Sequence, residues 1–211
     1  MKTDATIFVV DDDASMRKSL LWLLRSAGWH AEAYASAEEF LARPPFIGTG
    51  CLVLDVRMPH LTGPDLRDRL AACQSSLPII FLTGHGDVPT GVDAMKKGAV
   101  DFLLKPVDDQ VLLQAVQRAV EQHQRAQGHA REMGIIRERL ARLSAREREV
   151  LEYVIAGCLN KQIADALGIA QKTIKIHRGR VMEKMEVSSV AGLVHLCETA
   201  GIAPRRQDLT H

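Results

Sequence analysis

Residues 7–13 read Ile-Phe-Val-Val-Asp-Asp-Asp, an apolar and largely β-branched run that ends abruptly on three carboxylates. A run this short and this apolar predicts a strand buried on both faces. The same pattern recurs along the front of the chain. Cys51-Leu52-Val53-Leu54 ends on Asp55, Ile79–Leu82 ends on Thr83, and Ala99–Leu104 ends on Lys105-Pro106, while His30–Tyr34 alternates more weakly. Helical stretches separate these runs. The first has Ser15 as its expected cap, apolar Leu20, Leu21, Leu23 and Leu24, and Gly28 as its stop. Ser36-Ala37-Glu38-Glu39 reads as a capping box, Leu66 and Leu70 mark a third helix, and Pro89–Lys97 a fourth, stopped by Gly98. Leu112, Ala115, Val116, Ala119 and Val120 give the fifth its stripe. Strand and helix alternating in this way predict an α/β fold, an open parallel sheet covered on both faces.

The chain has 211 residues, enough for two small domains, and 46% hydrophobic with 25% charged residues excludes a disordered or low-complexity protein. Its apolar runs fall far short of the roughly 20 residues that span a bilayer. No secretory h-region follows Met1-Lys2-Thr3-Asp4, so a cytoplasmic location with no membrane partner is expected. Cys51, Cys73, Cys158 and Cys197 are widely spread, against a disulfide framework or a zinc site. The net charge of +1 hides a division. Residues 1–120 hold 12 Lys+Arg against 15 Asp+Glu, and residues 138–211 hold 12 against 9. An acidic front and a basic back suggest two jobs.

In open parallel sheets ligands bind beyond the carboxyl ends of the strands. Asp11, Asp12, Asp13, Asp55, Thr83 and Lys105 are expected there. Carboxylates crowded at one rim repel unless a cation joins them, and a hard oxygen site keeping several waters suits Mg²⁺. Lys105 would add fixed positive charge and Thr83 a hydroxyl, a set that fits a phosphoryl group on Asp55. An aspartyl-phosphate phosphatase is the enzyme alternative. It wants a second acid two residues after its nucleophile, where this chain has Arg57.

The segments IFVVDDD, CLVLDVRMP, FLTGHGD and AVDFLLKP resemble the receiver domain of bacterial two-component response regulators. The resemblance implies strand order 2-1-3-4-5 and Asp55 as phosphoacceptor. It implies Mg²⁺ held by Asp12, Asp55 and the backbone carbonyl of Arg57, with Asp11 assisting through water. Thr83 and Lys105 would contact the phosphoryl group, the Lys105–Pro106 bond would be cis, and Thr83 with Phe102 would form an aromatic switch. Asp13 matches no required position and reads as a solvated neighbour.

A receiver over residues 1–122 leads into a proline-free stretch, 123–140, read as a polar interdomain helix. Met133, Ile136, Leu140 and Leu143 are heptad-spaced, but over fewer heptads than a coiled coil needs. Its last turns should pack on the next domain. Residues 141–211 predict four short helices. Ser144-Ala145-Arg146-Glu147 is a capping box, and Asn160 is the expected cap of a second helix. Gly168 makes a left-handed turn into a third helix over about Gln171–Met185, and a fourth starts near Ser189. Small Ala164, Gly168 four residues later and Ile174 are spaced as in a helix-turn-helix. Lys172, Lys175, Arg178, Arg180 and Lys184 face only Glu183 in that third helix. Lys172, Lys175, Ile176, Gly179 and Met182 should face outward if Ile174, Val181 and Met185 face inward. Lys175 and Ile176 are the expected base readers, and Lys161, Lys172, Thr173 and Arg178 the phosphate contacts.

The run from LSAREREV to VMEKM is similar to the C-terminal domain of LuxR-type regulators, departing at Cys158 and Gln171 where that family varies. With the receiver, the whole resembles the NarL/FixJ family, and TGHGDVP and VMEKM lean toward its FixJ-like, StyR-like and TodT-like branch. The resemblance implies a phosphorylated transcription factor rather than an enzyme. A sensor histidine kinase would donate the phosphoryl group. A homodimer would form through the fourth helix, fifth strand and fifth helix, promoter DNA would be bound, and transcription activated with RNA polymerase as a further partner. A regulator that binds DNA constitutively is the other alternative, and the complete acid, Thr and Lys set argues against it.

Overall fold

The structure, a computed structural model, describes residues 5–84 and 101–205. Two compact units are present, Met1–Gln127 and Gly128–His211. The expected helix over Pro89–Lys97 and strand residues Ala99 and Val100 lie outside the described residues.

The first unit is a five-stranded sheet in the order β2-β1-β3-β4-β5, with every neighbouring pair parallel. The strands are β1 (Thr6–Val10), β2 (His30–Tyr34), β3 (Gly50–Asp55), β4 (Ile79–Thr83) and β5 (Asp101–Leu104). Helices α1 (Ala14–Ser26), α2 (Ala37–Leu41), α3 (Gly63–Ala72) and α4 (Asp109–Ala141) accompany them. Successive strand residues point to opposite faces. Ile7, Val9, Cys51, Val53, Ile80 and Leu82 therefore share one core with Leu20 and Leu24 of α1 and Leu112, Ala115, Val116, Ala119 and Val120 of α4. Phe8, Val10, Leu52, Leu54 and Phe81 share the other core with Phe40 of α2 and Leu66 and Leu70 of α3. Burial on both faces explains why β1, β3 and β4 read as unbroken apolar runs.

The helix caps correct two expectations. Asp13, not Ser15, caps α1: its carboxylate accepts from Ser15 N at 2.8 Å, Ser15 Oγ at 2.6 Å and Met16 N at 3.4 Å. A carboxylate there also meets the positive end of the helix dipole. Asp13 is thus structural as well as solvated. In the second unit Asn160 is the first helical residue rather than the cap. Gln162 instead bonds back to the N–H of Leu159 at 2.7 Å.

That unit packs four helices, α5 (Ala145–Ile155), α6 (Asn160–Leu167), α7 (Gln171–Lys184) and α8 (Val190–Thr199). Their core is Val150, Leu151, Val154, Ile163, Ala164, Ile174, Val181, Met185, Leu193 and Cys197, joined by Leu143 with Leu140 against it. The last turns of α4 do pack on this domain, as expected. Gly168 ends α6 at φ +65°, the left-handed turn that glycine adopts without strain.

Candidate functional site

The carboxyl ends of β1, β3, β4 and β5 converge, and register fixes the convergence: Val10 pairs with Leu54, Asp55 with Leu82, and Thr83 with Leu104. Asp11 is 1% exposed. Its N–H bonds to Tyr34 O at 3.3 Å, its Oδ1 accepts from Asp13 N at 2.9 Å, and its Oδ2 accepts from Lys105 Nζ at 2.7 Å. The same ammonium lies 2.8 Å from Asp55 Oδ1. Asp55 is buried and Asp12 exposed, yet one carboxylate oxygen from each of Asp11, Asp12 and Asp55 lies within 4.8 Å of the others. The Lys105–Pro106 bond is cis. Lys105 N donates to Thr83 O at 2.6 Å, which joins the end of β5 to the end of β4. Thr83 is fully buried, and its hydroxyl donates to Gly84 O at 3.3 Å.

The electrostatics follow from this crowding. Burial pushes the Asp55 carboxyl above its ordinary value, Lys105 opposes that, and Asp11 and Asp12 add to it. Burial acts to lower the Lys105 ammonium, but its bonds to Asp11 and Asp55 outweigh burial and hold it raised. Three carboxylates against one ammonium leave negative charge in excess. The donors are all oxygens, one of them on an exposed residue, so the set fits a hard divalent cation that retains waters.

Every expected receiver residue except Phe102 and Arg57 is drawn into this rim. Phe102 is half-buried and packs against the second core, 6.5 Å from the Phe81 ring. Arg57 stands two residues past Asp55 with an exposed side chain. Two residues escaped sequence reasoning. Gly63 opens α3 directly against Asp55: a Cβ there would collide with the Asp55 carbonyl oxygen and the Phe81 ring. Arg17 Nη1 bonds the carbonyl oxygens of Asp11 at 2.7 Å and Asp12 at 2.9 Å. A signal for Arg17 was present, because a cation in the first turns of a helix opposes the helix dipole and needs a reason.

In the second unit, Lys161, Lys172, Lys175, Ile176, Gly179 and Arg180 are exposed and Thr173 is half-buried. A Cβ on Gly179 would meet nothing, so no packing within the fold requires a glycine there. Met182 departs from expectation, packing against the core instead of facing outward. Two of the basic residues have partners within the fold. Arg178 Nη1 donates to Asn160 Oδ1 at 2.9 Å, tying α7 to α6. Lys184 Nζ donates at 2.6 Å to buried Glu147, whose bonds to Lys184 and Ser144 hold its carboxyl down to about 2. Sequence charge counting cannot see such pairings.

Comparison with known proteins gives matches in both units. Residues 7–117 match the response regulator receiver domain, and residues 141–197 the luxR family of bacterial regulatory proteins. Nodulation protein W of Bradyrhizobium diazoefficiens is 47% identical over 208 residues, 99% of this chain and 92% of that one. The transcriptional regulatory protein FixJ of Rhizobium meliloti is 44% identical over 202 residues, 96% of this chain and 99% of that one. Among solved structures, that of the response regulator StyR is 43% identical with a TM-score of 0.85, covering 93% of this chain and 99% of its own. Full-length FixJ from B. japonicum is 46% identical with a TM-score of 0.60, covering 95% of this chain and 99% of its own.

Proposed function

This chain belongs to the DNA-binding transcriptional response regulators that join a receiver to a LuxR-type domain, and from that premise we propose how its own residues work. A receiver implies a histidine kinase donor and a LuxR-type domain implies DNA, so the chain is a transcription factor rather than an enzyme. The observation that carries the proposal is the Lys105 ammonium bridging Asp11 and Asp55 where the parallel strands end.

Asp55 is the phosphoacceptor. A carboxylate oxygen attacks the phosphorus of a kinase phosphohistidine, the P–N bond breaks, and the imidazole leaves as a proton reaches it. Asp11, Asp12 and Asp55, with the carbonyl of Arg57, would hold Mg²⁺, which when bound spreads the charge of the phosphoryl oxygens. Lys105 already touches Asp55, so it stays within reach of the phosphoryl group and donates to it. The Thr83 hydroxyl turns from Gly84 O toward a phosphoryl oxygen, and Phe102 follows into the space vacated. This movement alters the face that carries β5 and the start of α4, where Leu104 and Val111 are exposed, and that face pairs with a second copy. The expected fourth helix of the face lies outside the described residues.

The receiver spans residues 1–122, the linker 123–140 and the DNA reader 141–211 in this reading; the break between compact units at Gln127 falls inside the linker. The paired reader places α7 in the major groove. Lys175 and Ile176 reach base edges, and Lys161, Lys172, Thr173 and Arg178 reach phosphates. The bound dimer activates transcription through RNA polymerase. Among the described residues no helix is long and apolar enough to cross a membrane, and the proposed setting is the cytoplasm.

Incubation with acetyl phosphate and Mg²⁺ tests the assignment. The parent chain should incorporate phosphate, and Asp55→Asn should incorporate none; incorporation at an unchanged level in that variant overturns it. Promoter affinity and solution size with and without beryllofluoride separate phosphoryl control from constitutive binding, because the constitutive reading requires both to be equal.

A further inference from the structure

The three carboxylates of the rim are fixed in different ways. Asp11 is buried with both oxygens bonded, and Asp55 is buried with Lys105 upon it. Asp12 is exposed, and among the described residues its carboxylate takes no hydrogen bond. The backbone that carries it therefore sets the direction of its Cα–Cβ bond, and with it which rotamers bring the carboxylate to the other two.

Two side chains hold that backbone: Asp11 Oδ1 accepts from Asp13 N at 2.9 Å, and Arg17 grips the carbonyls on both sides of Asp12. Arg17 Nη1 donates to Asp11 O at 2.7 Å and to Asp12 O at 2.9 Å. These two carbonyls belong to the peptide groups on either side of Asp12. Each peptide is planar, so holding both carbonyls, with the Asp13 N–H held by Asp11, restrains φ and ψ of Asp12. The guanidinium itself is seated by the helix it stands on. Arg17 N donates to Asp13 O at 3.0 Å in the first turn of α1, and Asp13 caps that turn.

We propose that Arg17 is a positioning residue for the divalent-cation site: it locks the peptide groups flanking Asp12 and so presents the Asp12 carboxylate to the metal. The inference rests on the reading of Asp11, Asp12 and Asp55 as a Mg²⁺ site. Two effects of opposite sign meet at Arg17. As a cation it repels Mg²⁺, so removing its charge alone would tighten binding. As a support it pre-organises a ligand, and removing such a partner costs about 10–100-fold in metal affinity. Arg17 is half-exposed, so solvent and salt screen the repulsion, whereas the two carbonyl bonds act at contact distance. Positioning wins, and it wins against the direction of the charge change.

Calorimetric titration of Mg²⁺ into the full chain decides the matter, with the parent, Arg17→Met, Arg17→Gln and Arg17→Lys compared. Arg17→Met should bind Mg²⁺ about tenfold more weakly or worse. Arg17→Lys, which keeps a charged donor within reach of the carbonyls, should recover much of the loss. In phosphorylation from acetyl phosphate, Arg17→Met should need more Mg²⁺ for half-maximal rate while approaching the parent rate at saturating Mg²⁺. Melting without Mg²⁺ checks folding, and Arg17→Gln substitutes for Arg17→Met if the latter unfolds. Equal or tighter Mg²⁺ binding in the folded variant refutes the positioning role, as does an Arg17→Lys that binds no better than Arg17→Met. A parent chain that binds no Mg²⁺ refutes the metal-site reading itself, and the role of Arg17 with it.

Discussion

Replacing Glu147 by Gln should destabilise the DNA-binding unit selectively, by an amount the structure sets. The Glu147 side chain is 3% exposed, and its Oε2 accepts from Lys184 Nζ at 2.6 Å and from Ser144 N at 2.8 Å. These bonds hold its carboxyl down to about 2 from 4.5, which corresponds to about 3 kcal/mol of stability above pH 4.5. Because the folded-state value is the lower one, that stability is complete above pH 4.5. It is lost progressively as pH falls toward 2. Gln keeps an acceptor for Ser144 N but gives up the charged bond to Lys184, a loss of about 1.5–3 kcal/mol. Lys184 is about a third exposed and can regain water, so the cost stays below that of stranding a buried cation. For a domain of this size about 2 kcal/mol lowers Tm by roughly 8–16 °C. Scanning calorimetry of the full chain should show the DNA-binding transition falling by that amount with the receiver transition unmoved. The variant's transition should also lose most of its pH dependence between 4.5 and 2. An unshifted transition, or an undiminished pH slope in Glu147→Gln, would show that the Glu147–Lys184 pair does not hold this unit together.

Gly63→Ala places a methyl group against the Asp55 carbonyl oxygen, a backbone atom that cannot swing aside, so receiver stability and phosphorylation of Asp55 should fall together in melting and acetyl phosphate assays. Lys175→Ala should weaken promoter binding and relax preference at the base it reads, worth about 1–3 kcal/mol, while Lys161→Ala should weaken binding evenly across sequences and reduce the salt slope by about one; competition titrations at several salt concentrations separate them. His123 is buried against Gly50 and Ser76, and burial holds its imidazole below its ordinary value of 6.5. Its folded-state value being the lower one, receiver stability should decline as pH falls through 6.5, and His123→Gln should flatten that decline in urea titrations at pH 7.5 and 5.5.

The strands and the acid rim were legible because they rest on short-range rules. Ile7–Val10, Cys51–Leu54 and Ile79–Leu82 are unbroken apolar runs since both faces of β1, β3 and β4 are covered, and each run breaks off at a polar residue that stands at the rim. Asp11, Asp55, Thr83 and Lys105 stand at or just past those ends. The caps were less legible, because Asp13 and Ser15 are both good N-cap types two residues apart, and only backbone geometry decides between them. Long-range polar partners carry no period at all. Nothing in the spacing of Lys184 and Glu147 marks them as a pair, and nothing in Arg17 marks which carbonyls it meets.

That difference changes how the basic recognition helix should be counted. Five cations against one acid on Gln171–Lys184 suggest a uniformly attractive face for DNA. Lys184 is occupied at the far end of the helix by Glu147, where it holds α7 to α5, and Arg178 lends a nitrogen to Asn160, where it holds α7 to α6. The charge standing exposed on α7 is carried by Lys172, Lys175 and Arg180, together with Lys161 on α6. The Lys184 charge is therefore spent on aiming the helix rather than on touching phosphate, whereas Arg178 gives Asn160 one nitrogen and keeps its other N–H groups for phosphate. The salt slope of promoter binding should follow Lys161, Lys172, Lys175, Arg178 and Arg180 per protomer and leave out Lys184, because only cations that displace counterions from DNA contribute to it.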